Sequence, residues 1–125
     1  EPTNGLDIPS KSHFRKAVSQ SMTDERTIIV STHQVRDVEN LLDRVLVIDD
    51  SKILLNETIG RITEKLSFVQ SMAGQPVENA IYKQSLMGFD LAVVENHGDA
   101  ETQVNMELLF NAVLAERQKI AEIFR

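Results

Sequence analysis

The sequence predicts an α/β segment followed by a small α+β module of about three strands and one long helix. Three observations carry that prediction. A continuous β-branched run, Thr27 to Val30, stands between two stripes of apolar residues at helical spacing. Short strand-like segments separated by glycine-containing turns fill the region from Leu66 to Glu95. The chain then finishes on a sustained apolar stripe with the period of a helix.

Taken in order, Pro9 and Ser10 sit where a helix start is expected, and Phe14, Ala17, Val18 and Met22 follow at helical spacing, predicting a helix from about Ser10 to Met22. Thr27 to Ser31 reads as a strand buried on both faces. Val35, Val38, Leu41 and Leu42 resume a helical stripe. Arg44 to Ile48 reads as a second buried strand, and the polar turn Asp49-Asp50-Ser51 leads into Lys52 to Asn56, so the two strands are expected to pair as a hairpin. Helix, strand, helix, strand, strand is the cadence of an α/β sheet.

A short helix is expected from Thr58 to Lys65, followed by strands over Leu66 to Met72, Ala80 to Met87 and Leu91 to Glu95, punctuated by Gly74, Pro76, Gly88 and Gly98. The last element is the strongest helix in the chain, about Met106 to Phe124, with Met106, Leu109, Phe110, Val113, Leu114, Ala121 and Phe124 on one side. Net charge also shifts, from −2 over residues 1–62 to −4 over 63–125. The change of pattern sets the expected domain boundary near residue 62.

Composition narrows the function classes. With 125 residues, 42% hydrophobic and 26% charged, the chain belongs with globular proteins of one domain or two small ones. No apolar run approaches the length of a membrane span, and the first residues carry no export signal, so a soluble, cytosolic protein is expected. The absence of cysteine excludes disulfides and thiolate metal sites. A net charge of −6 argues against nucleic acid or an anionic membrane surface as a direct partner.

The opening Glu1-Pro2-Thr3-Asn4-Gly5-Leu6-Asp7, followed 32 positions later by His33 at the end of the apolar run Thr27–Thr32, resembles the second half of an ABC transporter ATPase domain. The resemblance continues through Asp43-Arg44-Val45-Leu46-Val47-Ile48-Asp49 and Lys52-Ile53-Leu54, covering roughly the first half of the chain. It implies a partial P-loop NTPase core over residues 1–62 and an accessory or regulatory module over 63–125. By resemblance, Glu1 matches the Walker B glutamate that orients or deprotonates the attacking water, and His33 the switch histidine that contacts the γ-phosphate and aligns that glutamate. Asn4, Gly5, Leu6 and Asp7 match the D-loop, which crosses the interface between two nucleotide-binding domains. Asp7 also reads as a helix cap ahead of Ser10. The resemblance further implies ATP and Mg²⁺ as cofactors of an intact parent, a second ATPase domain and a transmembrane subunit as partners, and a cytoplasmic position at the inner face of the membrane.

The departures are as informative. None of the five glycines is followed by Lys and no two are adjacent, so the chain holds neither a phosphate-cradling P-loop nor the family's signature loop, and no aspartate precedes Glu1 to hold magnesium. The sequence is therefore expected to begin inside a catalytic domain and to be incompetent for hydrolysis by itself, with no cofactor bound and no metal site. The run Thr27–Ser31 would lack its neighbours, to be repaired by domain swapping, dimerisation or a different local arrangement. Ser51 stands where the family usually has glycine, which predicts a turn that avoids positive φ.

Other polar groups read more simply. His13 and His97 are expected at the surface, and Glu95, His97, Asp99 and Glu101 fall in a solvated loop rather than a metal site. The alternative from another class is a stand-alone interaction or dimerisation module whose Glu1–Asp7 segment is vestigial.

Overall fold

The computed structural model describes all of residues 1–125 as a mixed α/β chain with two small sheets and four helices. By packing it divides into two compact units, Glu1–Leu42 and Asp43–Arg125. The change of sequence pattern sets the expected boundary near residue 62; the packing boundary falls earlier because the hairpin that follows Leu42 folds with the later elements.

In the first unit, helix α1 spans Ile8–Ser21 and starts as anticipated: the Asp7 side chain accepts from the Ser10 backbone N–H at 2.9 Å, and Pro9 lies in the first turn, where an amide hydrogen is not needed. The strand expected over Thr27–Ser31 does not form. Those residues carry no regular secondary structure and no ladder partner, and Ile29 is 90% exposed. A strand is completed only by a neighbouring ladder, and the single bond that the Glu1 terminal amine donates to the Ser31 carbonyl does not make one. The stripe at Val35–Leu42 also departs from expectation: it folds as two 3₁₀ turns, Val35–Asp37 and Glu39–Leu41, which still bury Val38. So short a segment gains little from α-helical bonding and closes i→i+3 bonds instead, Val38 N–H to Val35 O and Leu41 N–H to Val38 O.

The second unit opens with the anticipated hairpin, β1 (Arg44–Asp49) and β2 (Lys52–Thr58), antiparallel with a bulge where Leu54 is skipped in the register. It is buried on one face rather than two. Val45, Val47 and Leu55 point into the core, while Leu46 and Ile48 are about half exposed. The turn overturns the expectation for Ser51, since Asp50 has φ 48° and Ser51 φ 59°. A two-residue loop of type I′, whose twist matches that of the strands, has positive φ at both central positions, and that demand overrides the residues' own preference.

Helix α2 (Ile59–Lys65) is capped by the Thr58 hydroxyl, which accepts from the Arg61 N–H at 3.1 Å. Strands β3 (Leu66–Met72), β4 (Ala80–Leu86) and β5 (Phe89–Glu95) form an antiparallel sheet in the order β3-β5-β4. Asn105 caps α3 (Met106–Ala115) by accepting from the Leu108 N–H at 3.0 Å. Asn111 donates to Gln84 at 3.3 Å, seating α3 on the sheet face that carries Gln84 and Leu91. The long final helix is in fact two. It breaks at Glu116 (φ −124°, ψ 50°) and continues as α4 (Arg117–Ile123). The Arg117 Nε donates to the Leu114 carbonyl, α4 turns onto β2 with Ile120 fully buried, and Arg117 pairs with Asp49. No Gly or Pro marks the break, so tertiary packing selects it. Leu109, Ala112 and Val113 of α3, with Ile62, Leu66 and Val93, make the core of this unit.

Candidate functional site

Two segments of the first unit meet edge to edge. Residues 1–7 form a tight loop with N–H bonds from Asn4 to Glu1 O and from Leu6 to Thr3 O, each 3.2 Å. Gly5, at φ 77°, supplies a left-handed step that an L side chain would resist. The second segment is Ser31–Asp37.

The Glu1 carboxylate bridges them. It accepts from the Thr32 hydroxyl at 3.0 Å and the His33 backbone N–H at 3.1 Å, and His33 Nδ1 lies against the same oxygen as that N–H. Glu1 and His33, 32 residues apart in sequence, are thus in direct contact. The side chains stay open to solvent, 39% exposed for Glu1 and 75% for His33. Partial desolvation pushes the Glu1 carboxyl upward, but the His33 N–H, the Thr32 hydroxyl and the imidazole together outweigh it and hold the group below its ordinary value. An ionised carboxylate can only accept, so Nδ1 carries the hydrogen of the contact.

The other residues expected from the resemblance to form a D-loop lie around this pair. Asn4 Oδ1 accepts from Gln34 Nε2 at 3.2 Å, Leu6 is partly exposed, and Asp7 caps α1. Its bonds with Ser10 lower the Asp7 carboxyl from its ordinary value. Sequence reasoning missed four participants. Thr32 also accepts from the Gln34 N–H at 2.9 Å, fixing the turn at His33, while Thr3 is fully buried and donates to Asp37 Oδ2 at 2.8 Å. Lys11 of α1 reaches the same Asp37 oxygen at 2.9 Å. Nothing in the spacing of Thr3, Lys11, Thr32 and Asp37 flags them, because their proximity is created by the fold.

Elsewhere, Glu101 accepts from the Thr63 hydroxyl at 2.9 Å, and Asn96 organises the loop beside it by accepting from the Gly98 and Asp99 amides. These are structural bonds of the connection between β5 and α3.

The chain is 33% identical over 70 residues to an uncharacterized ABC transporter ATP-binding protein of Methanocaldococcus jannaschii, a match covering 56% of this chain and 27% of the relative. It is 33% identical over 64 residues to the ABC transporter ATP-binding protein NatA of Bacillus subtilis (51% and 26%), and 40% identical over 58 residues to the thiamine import ATP-binding protein ThiQ of Jannaschia sp. (45% and 25%). About half of this chain is similar to ABC transporter ATP-binding proteins. It spans about a quarter of the length of these relatives. No family model matches the chain, and no solved structure matches significantly. No helix is long and apolar enough to cross a membrane.

Proposed function

We propose that this chain is part of the ATP-hydrolysing subunit of an ABC transporter, with Glu1 and His33 forming the water-facing end of its nucleotide site. The observation that supports the reading is the contact of Glu1 with Thr32 and His33, which brings a carboxylate and an imidazole from distant segments to one exposed point. Both similarity to ATP-binding subunits and the resemblance of residues 1–7 to a D-loop favour it.

The residues present fit only one side of a Mg-ATP site. They include no glycine-lysine cradle for phosphates and no clustered metal ligands, so nucleotide and magnesium would be held by another part of the parent protein. What this chain contributes is orientation. A carboxyl held below its ordinary value is a weaker base and, being ionised, can only accept, so Glu1 orients a water more readily than it takes the proton. With Nδ1–H turned to Glu1, His33 can donate from Nε2 to an anionic oxygen only as the imidazolium, which carries hydrogens on both nitrogens.

In this reading Asn4–Asp7, all exposed, face a second ATPase domain, a transmembrane subunit is the membrane partner, and the assembly sits on the cytoplasmic side. Residues 63–125 serve as the accessory module. In the longer protein that supplies the phosphate cradle, Glu1→Gln and His33→Ala should each lower kcat on the order of 10²-fold or more while nucleotide affinity is kept. Near wild-type turnover in either variant would overturn the assignment.

A further inference from the structure

We propose that Asp37 is the positioning residue of the Glu1–His33 pair, holding the Thr3 hydroxyl and the Lys11 ammonium on one carboxylate oxygen and so pinning the 1–7 loop to the turn that follows His33. This rests on the functional reading of Glu1 and His33, but the geometry it describes stands apart from ATP.

Three sets of bonds join the two segments. Glu1 contacts Ser31, Thr32 and His33, and Asn4 contacts Gln34, but both sets are exposed and compete with water. The third is different in kind. Thr3 is fully buried and the Asp37 side chain is only 16% exposed. Their 2.8 Å bond joins a buried hydroxyl to a charged acceptor largely shielded from solvent, and charge-assisted bonds of this kind contribute more, and cost more to break, than exposed neutral ones. Thr3 lies two residues from Glu1, and Asp37 is tied back by its own N–H to the Gln34 carbonyl at 3.1 Å, one residue beyond His33. The buried bond therefore sets the distance over which the exposed pair must meet. Lys11 adds the link to α1, whose cap is Asp7. Lys11 and Asp37 thereby connect α1 to Thr3, two residues from the Glu1–His33 contact. Lys11, then Thr3, lower the Asp37 carboxyl from its ordinary value, consistent with an anion that both partners stabilise.

The test uses the chain itself and the His33 tautomer. In the present geometry neutral His33 is the Nδ1–H form, whereas a free imidazole in water favours Nε2–H. Imidazole ¹⁵N correlation spectra recorded above the ordinary histidine range, with His13 and His97 as internal references, read the two forms directly. Thr3→Val and Asp37→Ala are expected to convert His33 from predominantly Nδ1–H to predominantly Nε2–H, and Thr3→Ser to restore the wild-type pattern. Should either variant lose α1 by circular dichroism, Lys11→Met, which removes only the ammonium on the exposed side, is expected to move His33 in the same direction. A folded Thr3→Val or Lys11→Met chain with the wild-type His33 pattern would overturn the proposal. Because no nucleotide is involved, unchanged hydrolysis in Glu1→Gln would sink the functional reading and leave this one standing.

Discussion

Replacing Ser51 with glycine is expected to stabilise the Asp43–Arg125 unit. Asp50 and Ser51 occupy both central positions of the β1–β2 loop at φ 48° and 59°, so each L side chain crowds its own backbone. Left-handed backbone costs an L residue roughly 1–2 kcal/mol, and glycine bears none of it. Against that stands glycine's greater freedom in the unfolded chain, about 0.5–1 kcal/mol. Ser51 is exposed, and a Cβ there supports no core contact, so the difference survives as a net gain of about 0.5–1 kcal/mol. At Asp50 the gain should be smaller, since aspartate visits the left-handed region more readily than most residues. For a unit of this size such a change raises the melting temperature by roughly 2–8 °C. The assay is a thermal melt with a parallel urea titration of the full chain. Ser51→Val supplies the opposite perturbation: a β-branched side chain at positive φ should lose at least about 1 kcal/mol. If glycine lowers the midpoint, or if glycine and valine move it the same way, the hairpin is not governed by the conformational cost assigned here.

Leu109→Ala, at a fully buried position of α3, should lower stability by about 3 kcal/mol, read as a fall in the urea midpoint at constant m. Glu1 and Asp37 are both held below their ordinary values of 4.5 and 3.8, so their contribution is complete above those values and is lost as pH falls through the lower folded ones. The side-chain carboxyl ¹³C shifts of Glu1 and Asp37 followed from about pH 7 downward should each show their main transition below the group's ordinary value; a midpoint at or above that value would refute this. A fragment starting at Asp43 should melt cooperatively, and one starting at Thr63 should be less stable, because it lacks the hairpin on which α3 and α4 pack and the Asp49 partner of Arg117. Equal midpoints for the two would show that residues 63–125 are self-sufficient and would support the boundary near residue 62. Calorimetric titration of the chain with Mg-ATP should detect no micromolar affinity, since no phosphate cradle is encoded.

By itself the sequence determined what short-range physics controls. Period-two segments bounded by glycine became β3, β4 and β5, and the side-chain caps Asp7, Thr58 and Asn105 lie immediately before the helices that follow them, because a cap acts over three residues. The motif Glu1–Asp7 with His33 was legible as a pair of candidates, since residue type and spacing survive without coordinates. Tertiary structure alone decided the rest. Thr27–Ser31 has the composition of a strand and stays unpaired because a ladder needs a partner that local sequence cannot supply. The apolar stripe of Met106–Phe124 is continuous in sequence, yet the helix breaks at Glu116 so that Ile120 can bury against β2. Asp50 and Ser51 take positive φ because the twist of two paired strands outweighs a one-residue preference. The contacts of Glu1 with His33, and of Thr3 and Lys11 with Asp37, join residues 26 to 34 positions apart, a separation at which only the folded chain fixes who meets whom.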